Sequence, residues 1–398
     1  MSNINQITVI DAIMGSGKTT WCINELLNKR LDENILYITP YLSEIDRIKE
    51  QTTRTIYSPK NKGQGKIGNI IDLINNQDDI AATHELFRRF DDKCKAALTE
   101  NDYTLILDET LEVVEPYQFN AKDDYQYLID NHDIEVDSHG CIRWTGTDLN
   151  TRFDDVRILA KNKCLFKIDN KFFLWHFPIE IFKLFKQVYV LSYLFDGSLM
   201  KNYFDLYHID YEIKSLRDYK ITEYYKPDKS QYRERLKIYN GKYNENISQK
   251  NNMLSTNWSR SAYSQNDIRQ IQKNMSNFAR NYICAPSDKI MWTCIKSNKK
   301  KLQGKGYTNG FVSCNARASN DYADRTCLMY AVNWFVNPEI VKFFQQNGIV
   351  VDQDAIALAT LLQWIWRSNI RIPNSTDTID IYIPAKRMRL LLQDWLAD

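Results

Sequence analysis

The sequence predicts an α/β protein built from two units of parallel β-sheet flanked by helices, with a small insertion in the first and a polar arm between them. Three observations carry this. An apolar strand, Ile7 to Ile10, runs into a glycine loop, a lysine and two threonines at 15–20. Short β-rich runs then alternate with helical patterns through the chain, which is the signature of parallel sheets. At 398 residues the chain also exceeds one ordinary core, so two units are expected.

The first strand, with Ile7, Val9 and Ile10 around Thr8, is β-rich and mostly apolar, as a strand covered on both faces should be. Ala12 follows, and then Gly15, Ser16, Gly17, Lys18, Thr19 and Thr20. Gly15 and Gly17 let successive N–H groups turn into one concavity, Lys18 reaches toward β- and γ-phosphates, and the Thr19 hydroxyl suits Mg²⁺. This is the phosphate-binding loop of a nucleoside triphosphatase. ATP and Mg²⁺ are the expected cofactors. Ala12 departs from the usual first glycine. Trp21 to Leu27 should continue as an amphipathic helix.

Ile35 to Thr39 is a second strand, stopped by Pro40, and Tyr41 to Gln51 a helix. Ser58 to Gly68 is loop-like. Asp79 to Leu98 has a long helical pattern. Thr104 to Leu107 is an apolar strand that ends in Asp108 and Glu109, about ninety residues after the phosphate loop. At that distance, after a strand of the same type, Asp108 is expected to hold Mg²⁺ and Glu109 to orient or deprotonate the attacking water. Residues 123–173 form the insertion, with hairpin-like pieces at Ile134–Val136 and Cys141–Trp144. Phe172 to Phe185 is apolar but short and broken by His176, Pro178, Glu180 and Lys183, so it is a core segment and no membrane span is expected. Gln187 to Ser192 is a further strand.

Lys220 to Trp258 is rich in Tyr and Lys and is expected as a mobile arm or interdomain element. Its tyrosines (Tyr224, Tyr225, Tyr232, Tyr239, Tyr243) could stack bases, or pack between domains as such residues more often do. The second unit is expected from Gln265. It has a helix to about Arg280, strands at 290–293, 311–313, 327–332 and 378–383, and helices at 338–346, 354–366 and 386–396. Gln363, Arg367 and Arg371 close an apolar run, with the two arginines on one face of a helix or its end. A γ-phosphate across a domain cleft would satisfy a guanidinium there, and such an arginine can be worth about 10³ to 10⁵ in rate. The boundaries read as 1–215, 216–264 and 265–398.

Composition adds little. The net charge of +2 excludes a uniformly basic coat but permits a local basic surface, of which Lys296 to Lys305, including Lys299 and Lys300, is the densest part. Such a run is a solvated loop or tracks a nucleic-acid backbone. Eight scattered cysteines without a Cys-x-x-Cys pair read as reduced thiols, and the polar N-terminus is no signal peptide, so a cytoplasmic location is expected.

Together these pieces resemble superfamily 2 helicases of the DEAD/DEAH-like kind. Ala12–Thr19 matches motif I in a variant associated with helicases. Ile38-Thr39-Pro40 is similar to motif Ia, and Asp108-Glu109-Thr110-Leu111 matches motif II. Leu191-Ser192-Tyr193-Leu194 occupies the place of motif III, with Tyr193 where alanine is usual. Gln363 to Arg371 resembles motif VI, with the second arginine displaced by one position. More closely, Leu191–Asp196, Ser313–Ala318 with Asp324–Thr326, and Gln363–Arg367 resemble replication helicases of phages of low-GC Gram-positive bacteria. The resemblance implies two RecA-like domains that sandwich ATP. It also implies single-stranded or forked DNA as a partner, contacted by Thr39, Thr83, Asn315 and Arg317, with other replisome proteins as further candidates. Two other readings stay open: a DNA-stimulated ATPase acting as a clamp or loader, and a P-loop nucleoside kinase.

Overall fold

A computed structural model describes residues 6–61, 63, 65–147, 151–169, 172–261, 264–314 and 321–398. The chain divides into two compact units. The first comprises residues up to Tyr225 together with Asn337–Val351, and the second comprises Lys226–Val336 with Asp352–Asp398.

The first unit opens with β1 (Gln6–Asp11), α1 (Lys18–Trp21, continued by a π-helical stretch, Cys22–Leu27), β2 (Asn34–Thr39), α2 (Leu42–Gln51), β3 (Ile56–Tyr57), α3 (Gly65–Asn75), β4 (Asp79–Thr83), α4 (His84–Phe87), α5 (Asp92–Glu100) and β5 (Tyr103–Asp108). Then come β6 (Val114–Tyr117), α6 (Asp124–Asp130), β7 (Ile134–Val136), β8 (Ile142–Trp144), α7 (Asp154–Lys161), β9 (Leu165–Asp169) and β10 (Phe172–His176). The unit continues through β11 (Gln187–Ser192), α8 (Leu199–Leu206), β12 (Tyr211–Arg217) and β13 (Lys220–Glu223).

Its main sheet has the order β13-β12-β1-β11-β5-β2-β4-β3, parallel except for the edge hairpin β12–β13. Ile10, Tyr37, Ile106, Tyr189 and Leu191 of the sheet pack with Trp21, Cys22, Leu26, Ile45 and Ile48 of the helical segments after β1 and β2, which covers one face. The residues of β1, β2 and β5 that face these helices are apolar because they are covered there. Asp79 to Thr83, expected as the start of a long helix, is instead the buried strand β4. Ile80, Ala81 and Ala82 fit either period, and pairing with β2 and β3 decides it.

The insertion carries its own core. β6, β10 and β9 form an antiparallel sheet, β7 and β8 the expected hairpin, and Leu128, Ile134, Ile142, Phe153, Val156, Leu165 and Phe173 pack together.

The second unit contains α9 (Ser230–Arg235), β14 (Leu236–Ile238), α10 (Lys242–Glu245), α11 (Thr256–Arg260), α12 (Ser264–Asn277), β15 (Ile290–Cys294), α13 (Lys299–Leu302) and β16 (Cys327–Ala331). After α14 (Pro338–Gln346), which belongs to the first unit, come α15 (Gln353–Ile365), β17 (Ile379–Tyr382) and α16 (Lys386–Ala397). Its sheet, β14-β17-β16-β15, is wholly parallel.

The expected arm is therefore not a separate element. Its start pairs with β12 at the edge of the first sheet, and Leu236–Ile238 adds a strand to the second. Tyr239 packs against Tyr243, Phe278, Tyr282 and Tyr382, and Tyr232 against Trp366 and Trp395. Tyrosine rings supply the burial that aliphatic residues supply elsewhere, which is why the segment read as polar. The expected strand at 311–313 is reduced to one bridge, between Phe311 and Trp292. No helix among the described residues is long and apolar enough to cross a membrane.

Candidate nucleotide site

The carboxyl ends of β1, β5 and β11 meet at one edge of the first sheet, where ligands bind in open α/β folds. The loop after β1 turns through Gly15 and Gly17, whose φ values of +80° and +87° demand glycine. Trp21 N–H donates to the Gly17 carbonyl at 2.8 Å and starts the helical segment on the last loop residue. Lys18 Nζ donates to the carbonyl oxygens of Ala12 and Ile13. Burial pushes the Lys18 ammonium down to about 8, while the negative charges of Asp11, Asp108 and Glu109 pull the other way. Ser16 Oγ is buried without a hydrogen-bond partner in the structure, as a loop that closes on an oxyanion would present it. Thr19 is half-buried and Thr20 exposed.

Asp108 ends β5, and burial holds its carboxyl above the usual range. Tyr37 of β2 donates to Asp108 Oδ2 at 2.8 Å, and His84 Nε2 lies 3.1 Å from the Asp108 carbonyl, so that nitrogen carries the proton. Glu109 N–H donates to the Leu191 carbonyl at 3.0 Å, and its backbone is left-handed, at φ +72°. A non-glycine residue in that conformation is strained, and its backbone is held by the neighbouring strand. The hydroxyl of Thr19 and the carboxylate of Asp108 are hard oxygen donors of the kind Mg²⁺ takes, and the buried charge on Asp108 fits a cation. When bound, Mg²⁺ would neutralise phosphate charge at these two residues.

Asp11 joins the parts. Its carboxylate accepts from the backbone N–H of Leu194 at 2.9 Å and of Phe195 at 3.0 Å, which fixes the loop after β11 to the root of the glycine loop. Burial raises its carboxyl, and these two amides oppose the shift. The Asp11 carbonyl accepts from Ser215 Oγ of β12 at 3.1 Å, and Ala12 N–H donates to Ser192 at 3.0 Å. Tyr37 and Asp11 escaped the sequence reading. Their signals were a tyrosine inside a fully buried strand and an acid at a buried strand end, both of which need partners.

The other expected residues fall differently. Thr39 is fully buried, and its hydroxyl does not face solvent. Thr83 Oγ1 accepts from Leu86 N–H and caps α4. In the second unit Gln363 is exposed on α15. That helix stops at Ile365, so Arg367 and Arg371 do not share a helical face as expected. Arg367 is buried beyond the helix end and donates from Nη1 to the Ser313 carbonyl at 3.1 Å, whereas Arg371 ends a separate 3₁₀ turn capped by Ser368. Lys299 lies over the Phe311 ring at 4.1 Å, and Lys300 is exposed. Asn315 and Arg317 lie outside the described residues.

Residues 230–396 match the family model described as the YonV C-terminal Rossmann-like domain, and residues 114–175 match the YonV middle domain. The chain is 38% identical over 418 residues to the SPbeta prophage-derived protein YonV of Bacillus subtilis (strain 168), an alignment that covers 99% of this chain and all of that protein. Among solved structures, an XPD helicase is similar with a TM-score of 0.52 at 12% identity, covering 98% of this chain and 95% of the other. Xpd4 of S. tokodaii is similar with a TM-score of 0.50, also at 12% identity, covering 98% and 94%. These likenesses fit two RecA-like units.

Proposed function

As this chain belongs to the YonV family, we propose that the family's shared architecture is that of an ATP-dependent DNA translocase or helicase acting in phage DNA replication. The observation that carries this reading is the meeting of the Lys18 loop, the Asp108–Glu109 pair and the Leu191–Phe195 segment at one sheet edge, tied together by Asp11 on one side and by the Glu109 N–H to the Leu191 carbonyl on the other. Lys18 and the amides of 15–20 bind the triphosphate. Thr19 and Asp108 hold Mg²⁺. Glu109 positions the attacking water. Gln363, Arg367 and Arg371 of the second unit are assigned to sensing and stabilising the transferring phosphate. Lys299, Lys300, Asn315 and Arg317 are assigned to the DNA backbone, with Thr39 and Thr83 contributing through their strand ends. The helicase fold of the similar structures supports the assignment of a motor.

The test is the ATPase rate with and without single-stranded DNA, duplex DNA and RNA. Single-stranded DNA should stimulate it. Lys18→Ala should lower the rate by about 10²-fold or more, the scale of removing one preorganised electrostatic group. Glu109→Gln should keep nucleotide binding and stop turnover. Normal hydrolysis by Lys18→Ala would refute the site. Tyr193, at the position where alanine is usual in coupling loops, favours a second reading as a DNA-stimulated clamp. Displacement of a strand from 3′- or 5′-tailed duplexes decides for the helicase, and stimulation without displacement decides for the clamp.

A further inference from the structure

We infer that Tyr219 is the stacking surface for the base of the bound nucleotide, and that the β12–β13 hairpin carries this ring to the base. This rests on the reading of the Lys18 loop as a triphosphate site.

The hairpin turns in two residues. Arg217 pairs with Lys220, and Asp218 and Tyr219 between them have φ values of +50° and +57°. That turn ordinarily takes asparagine or glycine. A bulky aromatic residue in left-handed backbone is an outlier, and such outliers mark sites where the side chain is needed in place. The Tyr219 ring faces the phosphate loop. A Cβ added to Gly17 would stand 2.5 Å from Cε1 and 3.0 Å from Cδ1 of Tyr219, so the ring rests on the glycine before Lys18. The residue is nonetheless 55% exposed, which leaves much of its surface available.

The hairpin is anchored for this task. Ser215 Oγ donates to the Asp11 carbonyl and accepts from Tyr225 N–H at 3.2 Å. Tyr225 Oη donates to the Leu216 carbonyl at 2.8 Å, and the Arg217 guanidinium covers the Tyr225 ring at 4.3 Å. Topology supplies the direction. β1 has β11 and then β5 on one side and β12 and β13 on the other. Asp108 and Glu109 therefore mark the γ-phosphate end of a nucleotide laid over the loop, and its base extends toward the hairpin. An aromatic face binds any base, so selection among bases should be shallow.

The experiment measures equilibrium binding of ATP and of inorganic tripolyphosphate, each with Mg²⁺, to the full chain and to Tyr219→Asn, Tyr219→Phe and Lys18→Ala. Asparagine suits the left-handed turn and keeps the hairpin folded. Tyr219→Asn should weaken ATP about tenfold or more, the scale of one lost base stack, and leave tripolyphosphate unchanged. Tyr219→Phe should bind ATP as the parent does. Lys18→Ala should lose both ligands. Equal weakening of both ligands in Tyr219→Asn, or none, would overturn the inference while leaving the phosphate site standing. A parent chain that binds neither ligand would overturn the phosphate-site reading as well. The parent chain itself provides an independent check. ATP, GTP and CTP affinities within about tenfold support stacking, and a preference for one base beyond about a hundredfold overturns it.

Discussion

Asp11 stands four residues before Gly15 and binds no phosphate in the assignment above, yet it holds two backbone amides of the loop after β11 on its two oxygens. Asn can accept on only one oxygen. Asp11→Asn should therefore cost about 1.5–3 kcal/mol, the worth of a hydrogen bond to a buried charge, measurable by urea unfolding. Nucleotide binding should persist, because Lys18 and the loop amides are unchanged. DNA stimulation of ATP hydrolysis should fall, because the Leu194–Phe195 segment loses its anchor. Unaltered stimulation would show that this tie is structural only. Lys18 and Asp108 could be picked out as candidates from sequence because their neighbours in the chain define the pattern they belong to. Tyr37 could not be read as the partner of Asp108, because 71 positions separate them and only the pairing of β2 with β5 brings them together.

Among the elements, β10 ends in His176, which burial holds neutral and pushes down to about 3. Its ring stacks on Phe166 at 4.1 Å and meets Phe343 edge-on at 4.5 Å. The unfolded chain takes up a proton below about 6.5 that the folded chain refuses. Stability should then fall as pH drops from about 6.5 toward 3, by roughly 2 kcal/mol between pH 7 and pH 5 from this residue. His176→Phe should remove that part of the slope in urea unfolding at the two pH values, and an unchanged slope would refute the assignment. The apolar run from Phe172 was plain in the sequence as a core segment, but the histidine appeared only as an interruption of it. At the other end of the chain, the helical pattern of α15 was also plain. The stop at Ile365, which leaves both Arg367 and Arg371 off the helix, was not, and beyond it Asn369 N–H donates to the distant Arg325 carbonyl at 3.0 Å.

Over the whole molecule, the chain leaves the first unit at Tyr225, returns for Asn337–Val351 and leaves again. α14 thus completes the first unit although it lies between two parts of the second. Phe343 and Phe344 are buried, and Asn202 Nδ2 donates to the Val350 carbonyl at 3.1 Å. Phe343→Ala should destabilise the first unit by about 3–5 kcal/mol, the usual result of emptying a buried aromatic site. Amide exchange should rise first at β6 and β10, far from residue 343 in sequence. A rise confined to the second unit would contradict this division of the chain.

The sequence by itself determined the α/β class and most of the helices and strands after residue 265, and it marked the glycine–lysine loop and the Asp108–Glu109 pair that the proposal uses, because each is set by local spacing: a period of two or 3.6, a glycine where φ must be positive, a lysine and hydroxyl in fixed register. Tertiary structure alone decided that Asp79–Thr83 is a strand, that the tyrosine-rich arm splits between two sheets, that residues 337–351 return to the first unit, and that Asp11, Tyr37 and Tyr219 gather around the loop. Each of these depends on a partner distant in the chain. A hydroxyl, a carboxylate or a ring has no signature in sequence until the fold supplies what it touches.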